Sequence, residues 1–424
     1  MAWWDLFKDP VLQELIREAL KSNYDLQLAV ARVDQERALL GVSRSQYYPQ
    51  VGYDASISGQ QSPVVSNHTY YSYSLSAIWE IDLFGRIRKL NEAQRAVYFS
   101  SEEARRDIRL LVMSDVALGY FQLRALDEQL EIAHRTVQSF QETLDLFQRK
   151  FQGGAASGLE VARAQAALSN VAATIPDFER QIVAQENALD LLLGRNPGPI
   201  VRGATLADQY DPPDVPAGLP ATLLERRPDL RETEQNLIAA NANVGVAKAN
   251  FFPTISLTGL LGGVSPQLSE FTASGKAWSL AGNLAGPLFT GGRLKNEYRA
   301  SLALRDQAKI SFEQAVTRAF GEVSTSLSAH QQLARAYQEQ LKAVEAYRES
   351  VRLSLIRYDS GLSSYFEIID AQIQLYPAES SSVSYDLGRK SAVVNLYRAL
   401  GGGWNLSDSQ WTSTNATPGS TPTP

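Results

Sequence analysis

The chain has no cysteine, two methionines and three histidines in 424 residues. Without cysteine there is no disulfide scaffold, thiolate zinc site, iron–sulfur cluster or cysteine nucleophile. The compartment stays open on that ground alone. An excess of one charge is also missing: 40 Lys+Arg face 46 Asp+Glu, a net charge of −6 spread without a long basic block. An electrostatic grip on nucleic acid is therefore not expected. No apolar run reaches the roughly 18 residues of a membrane-spanning helix, and no charged-then-apolar leader opens the chain. The chain is soluble, or enters a membrane as strands, or has lost a leader. At roughly 100–200 residues per domain, its length and 44% hydrophobic content allow two or three cores.

What is present is a duplication. Gly85-Arg86 recurs as Gly292-Arg293, Lys150-Phe151 as Arg357-Tyr358, Gly154 as Gly361, Ala164-Gln165 as Ala371-Gln372 and Leu193-Gly194 as Leu400-Gly401, all at an offset of 207. Upstream, Asp25-Leu26 recurs as Asp229-Leu230 and Pro49 as Pro253, at an offset of 204. A three-residue length change therefore lies between Pro49 and Gly85. Chance does not give seven matches in order at nearly constant spacing.

Each half reads as helix, strand, strand, long helix, helix. The first repeat, 1–204, is expected to hold strands at about 50–60 and 70–83, a long helix at about 86–151 and a returning helix at about 159–194. The second, 205–424, is expected to hold strands at about 253–264 and 277–290, a long helix at about 293–358 and a helix at about 363–400. A Pro/Gly/Asp-rich linker is expected at about 195–222, and the Ser/Thr/Pro tail at about 412–424 should be disordered. The strands alternate Ser, Thr or Gly with Leu, Ile, Tyr or Trp, and about ten residues suffice for a tilted strand to cross a bilayer.

The long helices carry a heptad seam. Leu126, Leu130, Ala133, Val137, Phe140, Leu144, Phe147 and Phe151 alternate steps of three and four, as do Val161, Ala164, Leu168, Val171, Ile175, Phe178 and Ile182. From Arg86 no proline or glycine pair interrupts until Gly153-Gly154, which predicts a helix of about 65 residues and about 100 Å. Pro176 and Pro377 should kink or break the returning helices.

Four strands cannot close a barrel, and lipid does not tolerate open sheet edges, so membrane strands would require several copies. Three copies would supply twelve strands and a tube of twelve helical segments.

The stretch Leu223-Leu224-Glu225-Arg226-Arg227-Pro228-Asp229-Leu230, with Ala247-Lys248-Ala249-Asn250-Phe251-Phe252-Pro253, resembles the outer-membrane efflux channel (TolC-like) family. It is similar to the branch serving resistance-nodulation-division multidrug pumps. Trp4-Asp5-Leu6-Phe7, Asp82-Leu83-Phe84-Gly85-Arg86 and Arg357-Tyr358-Asp359-Ser360-Gly361 extend the likeness over nearly the whole chain. The resemblance implies a mainly α protein with a β-barrel part: four strands per protomer in a twelve-stranded trimeric outer-membrane barrel, continued by a periplasmic coiled-coil barrel. It implies a passive duct rather than an enzyme, no cofactor, and as partners a periplasmic adaptor, an inner-membrane pump and outer-membrane lipids.

The same likeness places the inner constriction at Phe366, Glu367 and Asp370. Copies of these around an axis would make an apolar neck and a carboxylate ring selecting cations. Against this, acids in the first turn of a helix ordinarily just favour its dipole. Glu160 is the repeat partner of Glu367, while Arg163 stands opposite Asp370. The expectation is that Tyr358 bonds to a polar group near Glu160 and that Arg163 pairs with a neighbouring carboxylate, holding the pore closed. Gly153, Gly154, Gly158, Gly361 and Ser363 form the turns expected to meet the adaptor.

Tyr70, Tyr71, Tyr73, Trp79 and Trp278 read as an aromatic girdle at the membrane interface. His68, His134 and His330 do not read as a metal site or triad. A duct for exported proteins or metal ions is the alternative within the family, although two methionines speak against soft metals. A soluble coiled-coil scaffold leaves the strands unexplained. The opening Met1-Ala2-Trp3-Trp4 has no lipid-attachment cysteine, so a mature or engineered form is expected.

Overall fold

The computed structural model describes residues 7–62, 65–209, 226–270 and 276–402. The expected disordered tail and much of the expected linker lie outside these residues. In chain order the elements are α1 (Pro10–Ser22), α2 (Tyr24–Ser45), β1 (Gln50–Ser62), β2 (Val65–Ile81), α3 (Arg86–Gln152), α4 (Gly158–Ala172) and α5 (Thr174–Leu193). The second half follows with α6 (Pro228–Ala249), β3 (Thr254–Ser265), β4 (Lys276–Ala285), α7 (Arg293–Asp359) and α8 (Tyr365–Ala399). Both long helices have 67 residues, close to the length read from the missing breakers.

Three expectations change. α1 is an added helix, started by Asp9, whose carboxylate accepts from the backbone N–H groups of Val11 and Leu12, and by Pro10 at its first turn. The strand expected to reach residue 290 ends at Ala285; Pro287 has no N–H for a ladder, and at Gly286 a Cβ would lie 2.8 Å from Pro253. The two prolines behave differently. Pro176 sits in the first turn of α5, after a break at Ala173, whereas α8 continues through Pro377.

The chain forms two compact units that cut across the duplication, so that each repeat contributes to both. Among the described residues, one comprises 7–28, 106–209, 226–227 and 317–402, the other 29–62, 65–105, 228–270 and 276–316. The second unit holds the sheet, antiparallel in the order β1-β2-β3-β4. Val51, Tyr53, Ala55 and Ile57 face the same way as Tyr71, Tyr73, Leu75, Ala77 and Trp79, then Leu257 and Leu261, then Trp278, Leu280 and Leu284. The opposite face carries Asp54, Ser56, Ser72, Ser74, Ser76, Ser256, Thr258, Ser279 and Asn283. Hydroxyls bond across it, Ser56 to Ser72 at 2.7 Å, and Asn283 donates to Thr258 at 3.3 Å. One sheet thus presents an apolar face and an opposite face rich in serine that also carries Ile78, Leu260 and Val264.

Two large apolar clusters lie in the described residues of the first unit, with a smaller third around Leu396 and Leu400. One gathers Phe7, Leu12, Ile16, Met113, Tyr120, Phe121, Leu189, Leu193 and Val394. Each such buried Leu or Phe side chain stabilises by about 1.5–3 kcal/mol. The other realises the predicted seam, with Ala133, Phe140, Leu144 and Phe147 of α3 against Ala164, Leu168 and Val171 of α4 and Tyr365, Ile368 and Ile369 of α8.

The described start of the linker is strapped down rather than loose. Asp190, fully buried, accepts from Arg195 Nε and from Gly198 N, both at 2.7 Å. Arg202 pairs with Asp127 and Glu186.

Candidate functional site

The two turns that join the long helices to their returning partners are built alike. After α3, Gly154 takes φ +72°, and Ala155 N donates to Lys150 O (2.7 Å) while Gly154 N donates to Phe151 O (3.0 Å). After α7, Gly361 takes φ +73°, with Leu362 N to Arg357 O (2.8 Å) and Gly361 N to Tyr358 O (2.9 Å). Both are Schellman closures, in which a left-handed glycine lets the last carbonyls find donors. Gly153, Gly154 and Gly361 thus lie in the turns that follow α3 and α7. Gly158 opens α4 as its first residue, and Ser363 lies half-buried just before α8.

The restart of each helix differs. Ser157 and Glu160 form a capping box: Ser157 N donates to Glu160 Oε2 at 2.6 Å, and Glu160 N donates back to Ser157 Oγ at 3.4 Å. Ser364, at the corresponding place before α8, makes no side-chain cap. Glu160 is thereby engaged in its own helix start, as the bland reading of such acids anticipates. Glu367 instead takes a 3.3 Å bond from Arg357 across the second turn.

Tyr358 does not bond toward Glu160 as expected. Its hydroxyl accepts from Lys150 Nζ at 2.6 Å, and the same ammonium lies 4.2 Å from the centre of its ring. The phenol is reached from α3 because Phe147 and Tyr365 hold its ring, at centroid separations of 6.2 and 6.1 Å. Tyr365 packs on Phe147 at 3.5 Å and is 3% exposed. Burial pushes the Tyr365 phenol pKa up, so the hydroxyl stays neutral. Arg163 lies 5.6 Å over the ring of Phe366 rather than beside a carboxylate.

Phe366, 57% exposed, and Asp370, also exposed, point out of the chain's own packing. Among the described residues no ion pair within the chain engages Asp370. Phe366 keeps only the Arg163 guanidinium over its ring, and both side chains stay largely open to solvent.

Sequence reasoning passed over Lys150 as a site residue. Its signal was present, since Lys150-Phe151 is the repeat partner of Arg357-Tyr358, and the two cations serve different acceptors. It also left the Arg-Arg-Pro-Asp box without a task. Arg227 is buried and donates Nη1 to the Ala399 carbonyl at the end of α8 (2.9 Å) and Nη2 to Glu322 (2.7 Å). The box closes the C-terminus of the helix that carries Phe366 and Asp370. In the sheet, Tyr71, Tyr73, Trp79 and Trp278 share the apolar face, spread along the strands. Tyr70 does not: it pairs with Ser58 on the serine-rich face, one residue out of phase.

A family model described as outer membrane efflux protein matches residues 15–195 and 219–402. The toluene efflux pump outer membrane protein TtgC of Pseudomonas putida is 35% identical, over 95% of this chain and 85% of that protein. The cation efflux system protein CusC of Escherichia coli is 32% identical, over 95% of this chain and 88% of that one. The crystal structure of the Campylobacter jejuni CmeC outer membrane channel superposes with a TM-score of 0.91 at 26% identity, covering 97% of this chain and 90% of that chain. The chain belongs to the outer membrane efflux protein family. It is an outer-membrane protein of a family of efflux ducts rather than enzymes, with the helical-barrel and β-barrel parts of its structural relatives.

Proposed function

We propose that this outer membrane efflux protein is a homotrimeric, passive exit duct of a tripartite multidrug pump, closed at its helix turns until a partner opens it. The observation that carries the reading is the sheet: four strands with one apolar face, one serine-rich face and two unpaired edges. Such a sheet is complete in lipid only as part of a closed barrel. Three copies give twelve strands, with the apolar face toward lipid and the serines lining a wet lumen. The exposed apolar side chains of α7, among them Leu304, Ile310 and Phe320, support the same conclusion, because assembly would cover them.

At the closed end, three copies of Phe366 form the apolar neck and three of Asp370 the carboxylate ring. Lys150 and Tyr358 hold the second helix pair against the first. The partners in this reading are a periplasmic adaptor, received at the turns around Gly153, Gly154, Gly158, Gly361 and Ser363, and an inner-membrane resistance-nodulation-division pump. Tyr71, Tyr73, Trp79 and Trp278 anchor the barrel at the lipid interface.

The test is deletion of the gene followed by susceptibility profiling against antibiotics, organic solvents and transition-metal cations, with native mass measurement of the purified protein. Sensitisation to several unrelated drugs or solvents and a trimeric mass are expected. Sensitisation to metal cations alone would favour the cation duct, the role named for CusC, and no change with any compound would favour protein export.

A further inference from the structure

Each long helix starts from the end of a strand, and the duplication sets the two junctions side by side. The sequence offsets hold in the sheet as well: advancing Gln50 by 204 and its partner Ile78 by 207 gives Thr254 and Ala285, which are themselves a pair. Residues at equal offset therefore stand at equal places in the two halves.

At the first junction an arginine and a helix start are both met by carboxylates. Arg86 donates Nε and Nη2 to the two oxygens of Glu80, at 2.9 and 2.7 Å. Asp82 caps α3, accepting from Ile87 N at 3.0 Å and from Arg88 N at 2.8 Å. At the second junction the arginine recurs as Arg293 and the helix start as Leu294 and Lys295, but both acids are gone. Pro287 stands in the place of Glu80 and Phe289 in that of Asp82. No acid lies in the first turn of α7. Among the described residues no acceptor takes the N–H groups of Leu294 and Lys295. Arg293 keeps a 2.8 Å pair with Glu297 one turn on, with both side chains open to solvent, a contact that contributes little and exchanges readily.

Residues of both junctions line one cavity of about 440 Å³. Its charged lining is Glu80, Asp82, Arg86 and Arg293. The first three are answered within the first junction, Asp82 also by Arg88 Nε at 3.3 Å. Arg293 is thus the charge that no acid of the cavity meets. Beside it stands an aromatic wall, Phe84 stacked on Phe252 with centroids 4.9 Å apart and planes 11° from parallel, together with Leu83. All three side chains are exposed. The cavity also takes in Ile81 and Ala285, the last residues of β2 and β4, so it lies where the apolar face of the sheet stops.

We propose that this cavity binds an anionic amphiphile. Its phosphate or carboxylate head is held by Arg293 and the first N–H groups of α7, and its chain lies along Phe84, Phe252 and Leu83. The head supplies at the second junction what Glu80 and Asp82 supply at the first. A guanidinium beside helix N–H groups suits either oxyanion. Every group of the site comes from one protomer, so it does not depend on the trimeric reading. A membrane phospholipid and an anionic solute of the duct share this chemistry.

The full chain, purified in a neutral maltoside detergent, is titrated under native mass measurement with lysophosphatidylglycerol, dodecanoate, inorganic phosphate and an uncharged monoacylglycerol. One adduct per protomer is expected with a charged amphiphile. Tighter binding of the lysolipid supports a membrane source, and tighter binding of dodecanoate a solute. Arg293→Gln should weaken the adduct about tenfold or more, as loss of a charged hydrogen bond does. Phe289→Asp restores the absent cap acid. It should weaken the adduct as much while raising the thermal midpoint, which a damaged fold would lower. Arg305→Gln, at another exposed arginine of α7, should change nothing. Equal binding of the uncharged monoacylglycerol overturns the anion site, and inorganic phosphate bound as tightly as the amphiphiles overturns the apolar wall. Unchanged affinity in both Arg293→Gln and Phe289→Asp overturns the assignment to this cavity. Absence of any adduct overturns the site, and a trimer that falls apart in Arg293→Gln would then assign the arginine to an acid of a second copy. A monomeric native mass with the adduct retained would overturn the trimeric reading and leave this site standing.

Discussion

Lys150 and Tyr358, 208 residues apart in sequence, are joined by a 2.6 Å hydrogen bond from the lysine ammonium to the phenol oxygen. The bond ties the last turn of α3 to the last turn of α7, one residue type from each repeat. In the first repeat the position of Tyr358 is held by Phe151, which has no hydroxyl, so the tie is made once and not twice. A duplication alone would give a symmetric pair of turns. The hydroxyl breaks that symmetry at the end of the helices where the gate is proposed.

Tyr358→Phe keeps the ring stack and removes the acceptor. A hydrogen bond to a charged group contributes about 1.5–3 kcal/mol, so the closed-to-open balance should shift by roughly tenfold or more. Single-channel recordings in planar bilayers should show larger or more frequent openings, and Lys150→Ala should do the same. Unchanged conductance in both variants would remove this contact from the gate.

Asp370→Asn should leave folding and channel size nearly unaltered, because the side chain is exposed. It should weaken cation preference, since a ring of copies would lose its charge. The measurement is the reversal potential under a potassium chloride gradient, which should move toward zero. A reversal potential equal to that of the unaltered channel would place the selectivity elsewhere.

Arg227→Ala removes the donor to the Ala399 carbonyl and strands Glu322. The expected loss is about 2–3 kcal/mol, read as a lower thermal midpoint in detergent. Glu322→Gln, at a half-open position, should cost much less. Equal losses would mean that the ion pair, rather than the closure of α8, is what the box provides.

Alkaline pH should loosen the first unit through Tyr120. Its hydroxyl donates to the buried Asp9 carboxylate at 2.9 Å and accepts from Gly203 N at 2.9 Å. Burial and the Asp9 charge both raise the phenol above its usual 10.0. A group with a raised folded pKa gives its full stability below the unfolded value and loses it as pH rises past that value. Thermal midpoints should thus be insensitive to this group below about pH 9 and fall above about pH 10. Tyr120→Phe should start less stable, having left Asp9 short of a donor, and lose less on alkalinisation. An identical alkaline slope in the variant would exclude Tyr120 as its source.

Several of these features were readable from residues alone. The heptad steps from Leu126 to Phe147 and the missing breakers between Arg86 and Gly153 specify long packed helices, because periodicity and chain stiffness are local properties. Alternation from Tyr71 to Trp79 specifies a two-faced strand for the same reason. Even the strand register of the second hairpin follows from that of the first, through offsets visible in the sequence. Tyr70 marks the limit of a compositional reading: an aromatic cluster was legible, but the face on which each ring falls depends on phase.

What only the tertiary structure decided are the meetings of residues far apart in the chain. That Tyr358 takes its proton donor from Lys150 rather than from the neighbourhood of Glu160 depends on how α3 and α7 are brought side by side, and on Ser157 claiming Glu160 for a helix cap. That Arg227 closes α8 depends on a carbonyl 172 residues away. Local propensity carries no information about which distant group arrives at a given side chain. The sequence determines helices, strands, turns and their repetition, since those arise from neighbours along the chain; packing decides which charged and hydroxyl groups satisfy one another, because a buried polar group takes whichever partner the fold delivers.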